Sequence, residues 1–413
     1  MALPGVALIG TLDTKGADFA WVAERLTAAG VRPIVVDTGI FEPQGFDAPL
    51  AVSQWRVADA AGIDLGDLRA AGDRGRAVAA MGEGAARVLT ELHAQGDLDG
   101  VLALGGSGGS SIAARAVRDL PLGLPKLLVS TMVSGDVSPY VGASDVTLMY
   151  SVVDIAGVNR VSSVVLGNAV AAVAAMAYAH ADRNANPPTS GRPLVGASMF
   201  GVTTVAVSAA RRRLEELGYE VLTFHATGTG GRALENLARS GYLAGVLDLT
   251  TTELADELVG GALSAGPDRL TAAGVAGVPQ VVSLGALDMV NFGPLESVPE
   301  RFRDRHLHVH NPTVTLMRTT PEECEELGRL LGAKLAAARS PTAVVIPRGG
   351  VSAIDREGEA FFDPDADRRL VDALLGAVAG SSVSVVEHPG NINDEDLAVL
   401  AADMLDSMIR EDA

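Results

Sequence analysis

The 413-residue chain is poor in cysteine and in aromatic side chains. Its single thiol, Cys324, leaves no second cysteine for an internal disulfide and too few sulfur ligands for a multi-cysteine zinc site. Aromatic residues make up only 4% of the chain, so we expect no stacking platform for single-stranded nucleic acid. A disulfide framework and a cysteine-rich metal site are thereby excluded.

Positive charge is also scarce. The chain has 32 Lys and Arg against 51 Asp and Glu, which gives a formal net charge of −19. Nucleic acids bind to basic surfaces, so we predict no nucleic-acid partner. A small anionic ligand could still bind where backbone N–H groups and a few cations locally oppose the acidic field of the whole molecule.

The sequence lacks a convincing membrane span. The most apolar stretch, residues 161–181, contains Asn168 and consists mainly of Ala and Val, so we expect a buried core helix. Together with the scarcity of cysteine, this favours a soluble, cytoplasmic protein without a membrane partner.

Short runs of Val, Ile and Leu alternate with amphipathic helical segments in both halves of the chain, as in "VALIG" (6–10) and "GVLALGG" (100–106). This pattern predicts an α/β fold with two consecutive Rossmann-like domains, each a doubly wound, mainly parallel sheet. We expect the domains at residues 1–182 and 194–413, joined by a polar, Pro-rich linker at 183–193. Ligands of such folds bind at the carboxyl ends of strands, and we expect a cleft between the domains.

Two polar, Gly-containing corners stand between a strand and a helix in the first half: "GTLDTKG" (10–16) and "LGGSGGSS" (104–111). A helix N-terminus offers free N–H groups to an anion, and glycine lets the backbone approach it closely. Lys15 adds a cation, and Asp13 could hold Mg²⁺ or ribose hydroxyls. Neither corner matches a Walker A loop or the dinucleotide fingerprint. An ordinary capped turn or a tight packing turn remains the alternative.

Further candidates follow the neighbouring strands. Asp37 ends the second strand, where many nucleotide-binding folds contact a ribose. Thr131 and Asp136 follow the fourth predicted strand and could face the same crevice, with Asp136 as a second metal ligand. Ordinary turn chemistry explains these residues about equally well.

The second half offers acid, base and cation candidates at predicted strand ends. "FHATGTGGRA" (224–233) is typical of a second anion or carboxylate cradle. Three histidines at 306, 308 and 310 alternate along a predicted strand, and at least one should be structural. A capping box could instead explain the acid at 253. The candidate catalytic residues are His225, Glu253, His308, His310, Arg348 and His388.

With "GTLDTKG", "ALGGSGGS", "MFGVTT", "DLTTTELADE" and "PRGGVSAID" in this order, the chain resembles an uncharacterised bacterial and fungal family that shares an ATP-binding domain with the plant tobamovirus-resistance protein. The resemblance implies two Rossmann-like domains, a homodimer or higher homo-oligomer, and ATP with Mg²⁺ in the N-terminal domain. It implies that ATP contacts Thr11, Asp13, Thr14, Lys15, Gly105, Gly106, Ser107, Gly108, Gly109 and Ser110.

The family description supplies no reaction, so three hypotheses stay open. The first is an ATP-dependent enzyme that acts on a small anionic metabolite by phosphoryl transfer or ligation. The second is a non-catalytic module in which ATP shifts a conformational equilibrium. The third is a hydrolase or lyase that uses histidines of the cleft without ATP.

Overall fold

The computed structural model describes residues 2–186 and 191–412, with no side-chain description for residue 412. The chain divides into two compact units, residues 1–189 (unit 1) and 190–413 (unit 2). Part of the predicted linker, residues 187–190, lies outside the described residues.

Unit 1 alternates strands and helices along most of its length. Its described elements are Gly5–Gly10 (β1), Leu12–Ala28 (α1), Arg32–Asp37 (β2), Gln54–Ala60 (α2), Leu65–Ala71 (α3), Arg74–Ala94 (α4), Gly100–Gly105 (β3), Ser107–Val117 (α5), Lys126–Ser130 (β4), Ser138–Val141 (α6), Val146–Tyr150 (β5) and Ser162–Ala185 (α7).

These strands form one parallel sheet in the order β2-β1-β3-β4-β5. Successive β1 side chains point to opposite faces: Val6 and Leu8 pack with α1 and α7, while Ala7 and Ile9 pack with α2, α4 and α5. Both faces of the sheet are therefore covered, as the continuous apolar strands predict. The chain leaves β1 towards β2 and returns beyond β1 to β3, so the strand order reverses between β1 and β3.

Helix α1 begins earlier than the sequence suggested. The structure places the helix start at Leu12, but Lys15 interrupts it with φ −134° and ψ 16°. The "TLDTK" residues therefore form a separate turn that continues into the regular helix, and this turn presents its side chains at the end of β1.

Helix α7 packs one stripe, including Leu166, Val170 and Val173, against the sheet. Its length and composition would also suit a membrane span, and 39% of its most apolar window is buried. The helix continues to Ala185 and so includes the first three residues of the predicted linker.

Unit 2 repeats the alternation, with an insertion. Its described elements are Leu194–Met199 (β6), Thr204–Glu216 (α8), Glu220–His225 (β7), Thr229–Arg239 (α9), Leu243–Thr250 (β8), Glu253–Val259 (α10), Ala272–Ala276 (α11), Gln280–Gly285 (β9), Met289–Phe292 (β10), Leu307–Asn311 (β11), Val314–Arg318 (β12), Pro321–Ala336 (α12), Thr342–Pro347 (β13), Pro364–Val378 (α13), Ser384–His388 (β14) and Glu395–Asp412 (α14).

The main sheet of unit 2 is parallel, in the order β14-β13-β9-β8-β6-β7. Its first five strands in chain order repeat the arrangement of unit 1, so the prediction of two parallel-sheet α/β domains is confirmed. A strand at the three histidines was predicted, but not the insertion to which it belongs, a three-stranded antiparallel sheet in the order β10-β12-β11.

Helices α12 and α13 approach closely through Gly328. A Cβ at this position would lie 2.2 Å from the carbonyl oxygen of Leu370 on α13. Gly376, on the exposed side of α13, has no such neighbour within 4 Å.

We therefore expect opposite effects from two glycine substitutions in this helix pair. Gly328→Ala should lower the free energy of unfolding by about 1–3 kcal/mol because the helices must separate. Gly376→Ala should raise it by about 0.5–1 kcal/mol because alanine favours the helix. Urea denaturation of the full chain measures both, and equal effects of the two substitutions would contradict the described packing.

Candidate functional site

A cavity of about 600 Å³ lies in unit 1 at the carboxyl ends of β1, β2 and β3, where the strand order reverses. Doubly wound sheets bind ligands at this position. The cavity, called here the switch pocket, is lined by Thr11, Asp13, Thr14, Lys15, Thr38, Gly39, Ile40, Phe41, Arg69, Gly72, Asp73, Arg74, Ala77, Val78, Met81, Gly106, Ser107, Gly108, Gly109 and Ile112.

The glycine-rich corner after β3 forms one side of the switch pocket. Helix α5 begins at Ser107, with no side-chain cap and no acidic residue in its first turn. The first N–H groups of an α-helix have no partner within the helix. A Cβ on Gly105 would lie 2.8 Å from the Cα of Gly109, so only glycine permits this tight corner. The corner thus offers uncapped amides to the pocket.

The opposite side is built by the turn after β1 and the loop after β2. Asp13 Oδ2 accepts hydrogen bonds from the N–H groups of Ile40 (3.1 Å) and Phe41 (3.2 Å). A Cβ on Gly39 would lie 2.7 Å from the carboxyl carbon of Asp13. Asp13 therefore fixes the loop through one oxygen, and its other oxygen accepts no hydrogen bond within residues 2–186 and 191–412.

Asp37 connects the turn after β1 with the loop after β2 beneath the pocket. Its side chain is fully buried, and Oδ1 accepts hydrogen bonds from the N–H groups of Leu12 (3.1 Å) and Gly39 (2.9 Å). Burial raises the pKa of Asp37 to about 6. The sequence suggested a ribose contact, but the structure places this carboxylate beneath the pocket, where it joins the two loops.

One buried hydroxyl in the switch pocket lacks a partner. Thr38 is 2% exposed, and its Oγ1 has no hydrogen bond among the described residues. Unpaired buried polar atoms are uncommon and call for a physical reason.

Two cations lining the pocket are already engaged. The Lys15 ammonium donates to the carbonyl oxygen of Ile155. Arg69 donates to the carbonyl oxygen of Ile40 and pairs with Glu42. Neither the role of Arg69 nor that of Arg74, a third lining cation, was foreseen. The pair "DR" at 73–74, before an apolar helix, was the available signal.

The remaining wall is apolar. It consists of Ile40, Phe41, Ala77, Val78, Met81 and Ile112. This wall was not predicted, because the packing of α2 and α3 against α4 places it, and the sequence pattern does not show that packing. The pocket thus combines a polar end with an apolar wall.

Besides Asp37, four predicted residues of unit 1 lie outside the lining. Ser110 is buried and shares a 2.6 Å hydrogen bond with Ser130. Thr131 Oγ1 lies 3.6 Å from the point where a Cβ on Gly106 would stand. Gly105 is the buried end of β3. Asp136 is exposed, and its carboxylate accepts hydrogen bonds from Ser138, so the structure does not bring it into the pocket with Asp13.

A second glycine-rich corner, after β7 in unit 2, already holds an anion. Glu253 Oε1 accepts hydrogen bonds from the N–H groups of Gly228 (2.7 Å) and Gly231 (3.1 Å), at the start of α9. The predicted carboxylate cradle is present, but the carboxylate is the chain's own. Glu253 is fully buried, so the structure places it inside unit 2 and not on an open cleft.

Glu253 belongs to a buried network around Arg269, which is 1% exposed. Arg269 donates to Glu253 (2.6 Å), to Glu235 (3.1 Å) and to Asp248 (2.8 Å). The nearby carboxylates raise the pKa of Arg269 well above its ordinary value. Because each carboxylate also accepts further hydrogen bonds, the network fixes the loops that follow β7 and β8.

The other candidates of unit 2 are spread along strand ends and β11. Of the alternating histidines, His306 and His308 both pack edge-on against Phe361, at ring separations of 5.3 and 6.0 Å. His310 is exposed near the end of β11. The predicted structural role is thus seen for two of the three.

His225 is exposed at the end of β7. Arg348 pairs with Glu387 (2.7 Å), and His388 Nε2 lies 3.2 Å from Asp396. Asp394 completes a group of three possible metal ligands with His388 and Asp396. Arg348 and His388 therefore already interact with acidic side chains of the same chain.

A second buried network surrounds Arg318, which lies 2.8 Å from Asp367 and 3.6 Å from Asp355. Asp288 accepts a hydrogen bond from Ser352 (2.8 Å), and its Oδ1 has no partner among the described residues. Burial, reinforced by Asp355, raises the pKa of Asp288 to about 8. Neighbouring Ala286 has a φ of 59°, a strained conformation for alanine.

Two family models match the chain. The N-terminal domain of the uncharacterised protein family UPF0261 matches residues 4–182, and its C-terminal domain matches residues 192–409. A UPF0261 protein of Clostridium tetani is 49% identical over 409 residues, which cover 98% of this chain and 99% of that protein. The chain therefore belongs to the UPF0261 family.

A plant protein is also similar. The ToMV susceptible protein tm-1 of Solanum lycopersicum is 40% identical, across 96% of this chain but only 54% of its own length. Among solved structures, a Streptomyces glycosyltransferase complexed with thymidine diphosphate is 12% identical and covers 99% of this chain and 100% of its own. Its TM-score of 0.17 is too low to relate the two folds.

The raised pKa of Asp288 predicts a pH dependence of stability. Between the ordinary pKa of 3.8 and about 8, the folded protein retains a proton that the unfolded chain has lost. Stability should therefore fall as pH rises through this range, by up to about 1.4 kcal/mol per pH unit. Asp288→Asn should reduce this slope, because the amide cannot ionise.

Chemical denaturation at a series of pH values measures this slope. Asp304→Asn is the matched control, since it makes the same chemical change at an exposed position. Equal slopes for the wild type and Asp288→Asn would contradict the interpretation.

Proposed function

We propose that the protein binds ATP, as its magnesium complex, in the switch pocket and uses it to act on a small anionic metabolite. The observation that carries this proposal is the uncapped N-terminus of α5 in a cavity that Lys15 also lines. Such a terminus attracts anions through its N–H groups and helix dipole. The volume of about 600 Å³ lies within the range of small-molecule sites.

The polar end and the apolar wall of the switch pocket suit the phosphates and the base of a nucleotide, respectively. The phosphates would lie at Gly106–Gly109 and Lys15, and the base would lie against the apolar wall formed by Met81, Val78 and their neighbours. Asp13 Oδ1, free of hydrogen bonds in the described part of the chain, is the carboxylate oxygen that fits Mg²⁺, which binds few protein carboxylates together with phosphate oxygens. Asp136, away from the lining, supports this role less well.

The reaction could be phosphoryl transfer or an ATP-driven ligation. Both develop negative charge that a lysine in the pocket would stabilise. A homodimer in the cytoplasm remains our expectation. The binding module and the ATP-independent hydrolase or lyase are the alternatives that the following experiments separate.

Calorimetric titration of the full chain with Mg-ATP tests binding. We expect the wild type to bind, and Lys15→Ala to bind at least about tenfold more weakly, because a hydrogen bond to a charged group contributes about 1.5–3 kcal/mol. Lys334→Ala is the matched control, since Lys334 also donates to a backbone carbonyl, that of Pro267, but in unit 2. No heat from the wild type, or equal affinities of Lys15→Ala and Lys334→Ala, would overturn the proposal.

Incubation with Mg-ATP, with and without metabolites from a cell extract, tests turnover. We expect ADP or AMP to form in a reaction that Lys15→Ala loses. Tight binding without turnover under every addition would favour the non-catalytic module. Cleavage of a metabolite without ATP, lost in His308→Ala and His388→Ala, would favour the hydrolase or lyase.

A further inference from the structure

Arg74 differs from the other cations of the switch pocket. It is the first residue of α4, its side chain is exposed, and it lines the cavity. Its Nη2 lies 3.4 Å from the point where a Cβ on Gly108 would stand. Lys15 and Arg69 have partners, whereas Arg74 makes no hydrogen bond or ion pair with any residue in the described ranges. A free guanidinium group therefore stands over the glycine-rich corner.

This position is electrostatically unfavourable in the absence of an anion. A helix N-terminus carries the equivalent of about half a positive charge. Arg74 stands at the N-terminus of its own helix and close to that of α5. The nearby carboxylate of Asp73 accepts a hydrogen bond from the Arg76 N–H (3.0 Å) and caps the helix instead of pairing with Arg74. An anion between Arg74 and α5 would relieve the repulsion.

We propose that Arg74 closes the switch pocket over the outer phosphates of the bound nucleotide and selects nucleoside triphosphates over monophosphates. The inference rests on the proposed function and names the part of the ligand that is recognised. A guanidinium group can bind two phosphate oxygens at once, and its fixed fork suits a phosphate better than the ammonium of lysine. The amides at Ser107–Gly109 and Arg74 would contact the phosphate chain from two sides.

Titration of the full chain with Mg-ATP and with AMP tests the inference. Arg74→Ala should weaken ATP binding about tenfold or more, since a charge-assisted contact is lost. The affinity for AMP should change by about twofold or less, because AMP has no β- or γ-phosphate for Arg74 to contact. Arg74→Lys should fall between the wild type and Arg74→Ala.

Arg76→Ala is the matched control. Arg76 lies in the same first turn of α4 and is exposed, but it does not line the pocket. Its substitution by alanine changes the net charge by the same amount as Arg74→Ala. We expect Arg76→Ala to bind ATP as the wild type does. A thermal melt of each ligand-free variant gives a second readout: Arg74→Ala should melt at or above the wild-type temperature, because an unfavourable charge is removed.

The outcomes distinguish this inference from the proposed function. If the wild type binds ATP but Arg74→Ala and Arg76→Ala bind it equally, the role of Arg74 is overturned and nucleotide binding stands. Equal losses for ATP and AMP, or a lowered melting temperature of ligand-free Arg74→Ala, would assign Arg74 a structural role and overturn the selection of triphosphates. A wild type without affinity for any nucleotide overturns both.

Discussion

A helix N-terminus favours negative charge, and the glycine-rich corners of the two units meet this preference in different ways. Its free N–H groups and dipole favour an anion, and a protein can supply one from its own chain or leave the place to a ligand. In unit 2, Glu253 supplies the anion at α9. In unit 1, no side chain caps α5, although the chain as a whole is strongly acidic. The open corner of unit 1 is therefore the better ligand site of the two.

The residues around the two corners also differ: a cavity adjoins the corner of unit 1, whereas unit 2 is filled by apolar packing and buried ion pairs. In unit 1, buried Asp37 and partly buried Asp13 connect the turn after β1 with the loop after β2 beside the cavity. In unit 2, an apolar cluster that includes Val202, Ala286 and Phe361 packs the residues after β6 and β9 against the antiparallel insertion. The networks of Arg269 and Arg318 add buried ion pairs. Removing one partner of such a pair strongly destabilises the folded protein. The corner after β3 in unit 1 is thus open, whereas the corner after β7 in unit 2 is filled by Glu253.

The sequence predicted the architecture better than the site. Continuous apolar strands such as β1 and β3 specify a parallel sheet, because both faces must be buried, and glycine-rich corners mark the helix starts. Periodicity does not show how the loops after different strands meet. It therefore could not predict that Arg74 and Thr38 line the pocket or that Asp37 is buried. The strand at the three histidines was predicted from their alternation, but its antiparallel pairing with β12 was not, because the periodicity of one strand does not show which strand it pairs with. The role of Glu253 was missed because its partners, Gly228 and Gly231, are remote in sequence.

A crystal structure of the full chain, grown with Mg²⁺ and a slowly hydrolysed ATP analogue, tests nucleotide binding at the open corner of unit 1 most directly. We expect density for the phosphates at Gly106–Gly109 beside Lys15, while Glu253 stays bound at the start of α9. Phosphate density at α9 with Glu253 displaced, or a nucleotide bound elsewhere while the switch pocket remains empty, would contradict this expectation.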